Sequence, residues 1–135
     1  MARYDKNIVL LSHIIKYCDR VKEAQFRFGN TYGDFEKDYD YQSCCSMYVY
    51  QIGEYCTHLS DSVKTAYPDI PWKNIRGMRN IFAHDYESVK TERLWDTMVH
   101  SLPDFRGECL EILRDLGYEY VSEADDELLS EDDEE

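Results

Sequence analysis

The sequence predicts an all-α fold: an antiparallel four-helix bundle with a short third helix and a disordered acidic C-terminal tail. Three observations carry this. Apolar residues recur at three- and four-residue steps over three long windows, the period of an amphipathic helix. Two prolines, Pro68 and Pro71, bound a short segment between the second and last of these windows. No window shows the apolar–polar alternation of a half-buried strand. A chain of 135 residues can bury a core as one domain without metal or disulfide support.

The first helix spans about 5–28, with Ile8, Leu11, Ile15, Cys18 and Val21 on one face. Gly29-Asn30 stops it. His13 reads as a surface residue. Residues 30–40 are polar and aromatic, a loop or helix lead-in. The second helix spans about 40–66, on the stripe Cys45, Val49, Ile52, Cys56, Leu59, Val63 and Ala66. Tyr41, Tyr48 and Tyr55 form a parallel line at seven-residue spacing, either ordinary core or a homodimer seam. Gly53 costs this helix roughly 1 kcal/mol relative to Ala, which the close approach of a neighbouring helix explains. The third helix covers about 72–84, with Pro71 in its first turn. A fourth begins at Thr91 as cap, runs through Trp95, Met98, Leu102, Phe105, Cys109, Ile112 and Leu116, kinks at Pro103 and ends at Gly117.

The net charge of −13 is concentrated at one end. Residues 119–135 hold 10 of the 28 acids and no Lys or Arg, so residues 1–118 carry 18 acids against 15 bases. The body, 1–118, is nearly balanced. The tail, 119–135, repels itself and reads as a solubilising terminus, with mimicry of nucleic acid as the sharper alternative. No apolar run has membrane-spanning length, and the N-terminus lacks signal-peptide layout. The five cysteines lack Cys-x-x-Cys spacing and fall mostly on helical stripes, so they read as reduced, buried thiols of a cytoplasmic protein. A zinc site with His58 has the wrong ligand spacing.

Chemistry concentrates in Ile75-Arg76-Gly77-Met78-Arg79-Asn80-Ile81-Phe82-Ala83-His84-Asp85-Tyr86. On a helix Asn80 and His84 are one turn apart and share a face. Arg79 starts on an adjacent line but can swing toward it. Lys73, Arg76 and Arg79 form the most basic window of the chain, with no acid between Asp69 and Asp85. His84 can move protons near neutral pH. Arg79 keeps its charge and can fork onto phosphoryl oxygens. Asn80 can orient His84 or a phosphate. No carboxylate cluster accompanies them, which argues against a two-metal nuclease.

The stretch Tyr67-Pro68-Asp69-Ile70-Pro71-Trp72 leading into Ile75-Arg76-Gly77-Met78-Arg79-Asn80, the spacing Arg79–His84–Tyr86, and Ile52-Gly53-Glu54 on the preceding helix together resemble the HepT-like branch of the HEPN superfamily. The likeness covers roughly residues 5–116. The acidic tail, Lys90 and the Cys44-Cys45 pair depart from the family pattern. The resemblance implies a HEPN-like bundle and a metal-independent endoribonuclease without cofactor, the toxin of a type VII-like toxin–antitoxin pair. Arg79, His84 and Asn80 would be catalytic, and Lys73 and Arg76 would bind RNA phosphate. It further implies a homodimer, and a nucleotidyltransferase antitoxin that transfers AMP to Tyr86. The rival class is a non-catalytic helical subunit that holds nucleotide or a nucleotidyltransferase.

Overall fold

Asp5 starts α1 (Lys6–Phe28): its carboxylate accepts the backbone N–H of Asn7 at 2.8 Å. Gly29 ends it at φ +118°, a region that only glycine enters freely. The computed structural model describes residues 5–82 and 87–121, the side chains of 81–82 and 87–90 excepted. After α1 come α2 (Tyr32–Glu36), α3 (Tyr39–Thr57), α4 (Asp61–Ala66) and α5 (Trp72–Gly77). A 3-10 turn (Met78–Phe82) follows, then α6 (Glu87–Asp96), a π turn (Thr97–Ser101) and α7 (Leu102–Asp115). The described residues contain no strand, so the fold is all-α, a HEPN-like helical bundle. No helix among them is long and apolar enough to cross a membrane.

Contacts at the two ends of the bundle set the helix directions. Asn7 and Ser60 exchange two hydrogen bonds of 3.0 Å, tying the start of α1 to the chain beyond α3. At the other end the Tyr41 hydroxyl donates to the Gly29 carbonyl at 3.0 Å, so α1 and α3 run antiparallel. Trp95 of α6 sits at this second end, its ring 5.3 Å from Phe35 and 6.5 Å from Tyr41. Asp115, at the close of α7, accepts from the Tyr67 hydroxyl near the first end. The α6–α7 arm therefore also runs antiparallel to α1. Between the arms lie Leu11, Ile14, Ile15, Phe35, Tyr41, Ile52, Phe105 and Ile112, all essentially inaccessible to water. Outside this core, Arg106 holds Asp19 at 2.7 Å across α7 and α1.

The expected stripes form the core, with differences that have local causes. The second window is two helices. Ser60 breaks it by capping α4 while bonded to Asn7, and Ala66 is exposed. The 30–40 lead-in contains α2, capped by Thr31 and anchored by fully buried Phe35. Thr91 is not a cap but lies inside α6, which starts at Glu87; the polar run with Glu87, Lys90, Glu92 and Arg93 consists largely of good helix formers, and polarity alone does not stop a helix. The interruption at Pro103 is a π turn, in which the Leu102 N–H reaches the Thr97 carbonyl. Pro103 has no N–H to continue the α-helical ladder, and the widened turn before it absorbs the loss.

Gly117, at φ +81°, ends α7 in a Schellman turn: its N–H bonds Arg114 and the Tyr118 N–H bonds Leu113. Leu116 is 40% exposed, and Leu113 takes the buried position instead. Tyr120 packs against the core. The expected disorder of the tail concerns residues that, beyond Val121, lie outside those described.

All five cysteines are free thiols. Four are buried, and burial pushes the Cys18 and Cys45 thiols up to about 12 and Cys56 up to about 11. At neutral pH such thiols stay protonated and pack as small hydrophobes.

Candidate active site

The basic window is held in place from both ends. Trp72 opens α5, its indole N–H donating to the Tyr67 carbonyl at 2.9 Å and its ring meeting Phe105 edge-on at 5.9 Å. Pro71 is the residue before the helix rather than within its first turn. One turn on, Ile75 is buried, which turns Lys73 and Arg76 to solvent as neighbours three residues apart. Arg76 is also close enough to α3 to oppose, with Lys64, the upward push of burial on the Cys56 thiol.

The chain then tightens. From Met78 to Phe82 it is a 3-10 turn that lies against α3 at Gly53. A Cβ on Gly53 would stand 2.8 Å from the Arg79 backbone nitrogen and 3.3 Å from the Arg79 Cβ. Gly53 thus permits a backbone-to-backbone approach, the reason expected for a glycine inside a long helix. The approach fixes where Arg79 leaves the backbone. Its guanidinium Nη1 lies 3.6 Å from the Glu54 Oε1, with the two side chains 45% and 31% exposed.

Asn80 is exposed. It lies in the 3-10 turn, and the face it is expected to share with His84 involves residues outside those described. His84 and Tyr86 lie outside the described residues.

Among the described residues, then, the fold brings Arg79 to Glu54 and leaves Lys73, Arg76 and Asn80 open to solvent. Glu54 is the partner that spacing along the chain does not reveal. Its signal was indirect: an acid next to a mid-helix glycine, in a chain with one basic turn to receive it. Exposed pairs of this kind contribute about 0.2–1 kcal/mol. Glu54 therefore orients the guanidinium while a phosphate, which offers a bidentate fork, can displace it. The arrangement suits binding of a phosphodiester at the surface.

Gly53→Ala is expected to destabilise the protein by up to about 2 kcal/mol. The roughly 1 kcal/mol gained in helix propensity is outweighed by about 1–3 kcal/mol of overpacking against the Arg79 backbone. Gly77→Ala, where a Cβ meets nothing within 4 Å, is the control and should not destabilise. Thermal melts of the two variants decide; equal melting temperatures would mean that the close approach is not stiff.

A sequence model of a family described as "Ribonuclease HepT-like" matches residues 14–112, which contain the whole basic window. A protein of Caldanaerobacter subterraneus subsp. tengcongensis, named "Putative RNase", is 30% identical over 108 residues, covering 77% of this chain and 91% of its own. A Methanocaldococcus jannaschii protein with the same description is 29% identical over 86 residues, covering 64% of this chain and 71% of its own. A Thermococcus cleftensis protein named "Probable ribonuclease HepT" is 32% identical over 57 residues, covering 42% of this chain and 52% of its own. No solved structure matches the chain.

Proposed function

Since the chain belongs to the HepT-like ribonuclease family, we propose that it is a metal-independent endoribonuclease, the toxin of a type VII-like toxin–antitoxin pair, acting in the cytoplasm. The observation that carries this reading is Arg79, held by backbone contact with Gly53 and presented at the surface on a replaceable carboxylate partner. The reaction is attack of a ribose 2′-oxygen on the adjacent phosphorus, with departure of the 5′-oxygen and formation of a 2′,3′-cyclic phosphate. Arg79 stabilises charge on the phosphoryl oxygens. His84 takes the proton from the 2′-hydroxyl or delivers one to the leaving oxygen. Asn80 orients the histidine or the phosphate. Lys73 and Arg76 bind flanking phosphates.

One copy supplies one His84, whereas the reaction uses a base and an acid. A twofold homodimer that sets two His84 residues across one cleft supplies both. The helical body over 1–118 carries the activity and the acidic tail over 119–135 is an appendage. Neutralisation is by a nucleotidyltransferase antitoxin that transfers AMP to Tyr86. The second reading, a non-catalytic subunit that holds nucleotide or a nucleotidyltransferase, is favoured by the net negative charge of the body, which opposes strong RNA binding.

The test is cleavage of single-stranded RNA in excess chelator, with light scattering on the same sample. Cleavage that persists and leaves a cyclic phosphate, from a dimer, is expected. Cleavage that stops with chelator and returns with magnesium would overturn the mechanism. A monomer at micromolar concentration with full activity would overturn the composite site.

A further inference from the structure

A second group able to move protons stands in contact with the cation of the candidate site. Glu54 is a half-buried carboxylate on α3, and Ile52, Gly53 and Cys56 around it are buried. Its place on the helix is therefore fixed from the core side. One residue back, at Gly53, the Arg79 backbone meets α3, so a single contact places both the carboxylate and the guanidinium. At 3.6 Å the pair attracts by charge but is too long for a hydrogen bond. No hydrogen bond among the described residues engages the Glu54 carboxylate, so its acceptor oxygens remain open.

Binding of a phosphate at Arg79 brings substrate against this carboxylate. A phosphate forked onto a guanidinium comes within about 3 Å of its nitrogens. The attacking 2′-oxygen stands about 3–3.5 Å from the phosphorus in a reactive arrangement. A carboxylate 3.6 Å from the same guanidinium is thus within hydrogen-bond reach of that hydroxyl. We propose that Glu54 is the general base of the cleavage, a catalytic residue that accepts the 2′-hydroxyl proton as RNA phosphate takes over Arg79. The 2′-oxygen bonds to phosphorus, the bond from phosphorus to the 5′-oxygen breaks, and that oxygen leaves with a proton from His84. Afterwards Glu54 gives its proton to water and His84 takes one up.

The inference rests on the ribonuclease reading above and differs from it in one particular: the base is Glu54 rather than a second His84. One copy then supplies both an acid and a base. Exposed ion pairs are ordinarily weak contacts between flexible side chains. This one is set by a backbone approach, in the one turn of the chain suited to hold phosphate. Positioned carboxylates serve as bases in proton transfer, and an anion beside a carboxylate favours its protonated form. The arriving phosphate supplies that anion.

The test is single-turnover RNA cleavage by Glu54→Gln and Glu54→Ala, beside binding of a 2′-O-methyl oligonucleotide that the 2′-attack reaction cannot cleave. Gln keeps an oxygen for the guanidinium but does not act as a base. Its cleavage is expected to fall about 100- to 10,000-fold, with oligonucleotide binding no weaker than in wild type. Both variants should melt like wild type, because the pair they lose is screened by solvent. In Glu54→Ala, added carboxylates are expected to restore part of the lost rate, acetate more than the less basic formate, as proton transfer requires. Cleavage by Glu54→Gln within about tenfold of wild type would overturn the inference and return the base to a second His84. So would a loss in Glu54→Ala that formate relieves as well as acetate, or that neither relieves, which would leave Glu54 only the orienting of Arg79. Wild-type protein that cleaves no RNA would bring down the ribonuclease reading as well, so the two failures are distinguishable.

Discussion

Arg79→Ala and His84→Ala are each expected to abolish RNA cleavage and growth inhibition while leaving the fold intact. Arg79 is surface-exposed and its ion pair with Glu54 is of the weak, solvent-screened kind, so its removal should change stability little. In the proposed mechanism its loss removes the fixed charge facing the phosphoryl oxygens, about a 100- to 1,000-fold effect by analogy with a single oxyanion donor. In the proposed mechanism His84 moves a proton in the step itself, and general acid–base groups contribute about 100- to 10,000-fold. In a composite dimer each substitution strikes two copies at once, which places residual cleavage below detection. Arg79→Lys separates charge from geometry: the ammonium keeps the charge but cannot fork, so activity should fall part way. The check is single-turnover cleavage beside a dichroism melt for each variant. Wild-type rates in His84→Ala would remove His84 from the cleavage step, and absence of cleavage by the wild type would leave the non-catalytic reading standing.

The second large effect is on neutralisation. Tyr86→Phe removes only the acceptor oxygen. The variant should stay toxic, or nearly so, and should escape the partner's protection. A tyrosine phenol is neutral at pH 7, so it becomes a nucleophile toward ATP only with a base that the partner enzyme supplies. Its oxygen attacks the α-phosphorus, the proton passes to that base and pyrophosphate leaves. In the proposed system each AMP so added brings one negative charge for Arg79, Lys73 and Arg76 to hold in place of RNA phosphate. Intact-mass measurement after coexpression should show wild type heavier by one or more AMP units and the variant unshifted. Unmodified wild type that is nonetheless fully inhibited would replace AMP transfer by simple complex formation.

Gly53 shows how far a local pattern reaches. A glycine inside a 19-residue helix is unfavourable on its own, and that cost implies a neighbour. The structure supplies the neighbour, and it is the backbone of Arg79. The same pattern did not disclose the Arg79–Glu54 pair, because the two residues lie 25 positions apart and meet only once α3 and the 3-10 turn are packed.

Periodicity dictates the all-α class and most of the buried faces, because a three- and four-residue repeat of apolar side chains has one solution that hides them all. Asp5, Gly29 and Gly117 mark helix ends through chemistry that acts within a few residues, so those ends are legible along the chain. The breaks that matter arise from contacts at long range. Ser60 divides the second window because Asn7, 53 residues away, bonds it. Phe35 makes a helix of a polar loop by entering a core that Tyr41 and Trp95 complete. The 3-10 form of Met78–Phe82 accompanies the contact with Gly53 and departs from the α-helix that the sequence suggests over 72–84. The residues of the candidate site are thus proposed from one short motif, while the direction of the Arg79 side chain is set by packing, because a side chain's partner is chosen by distance in space rather than by distance along the chain.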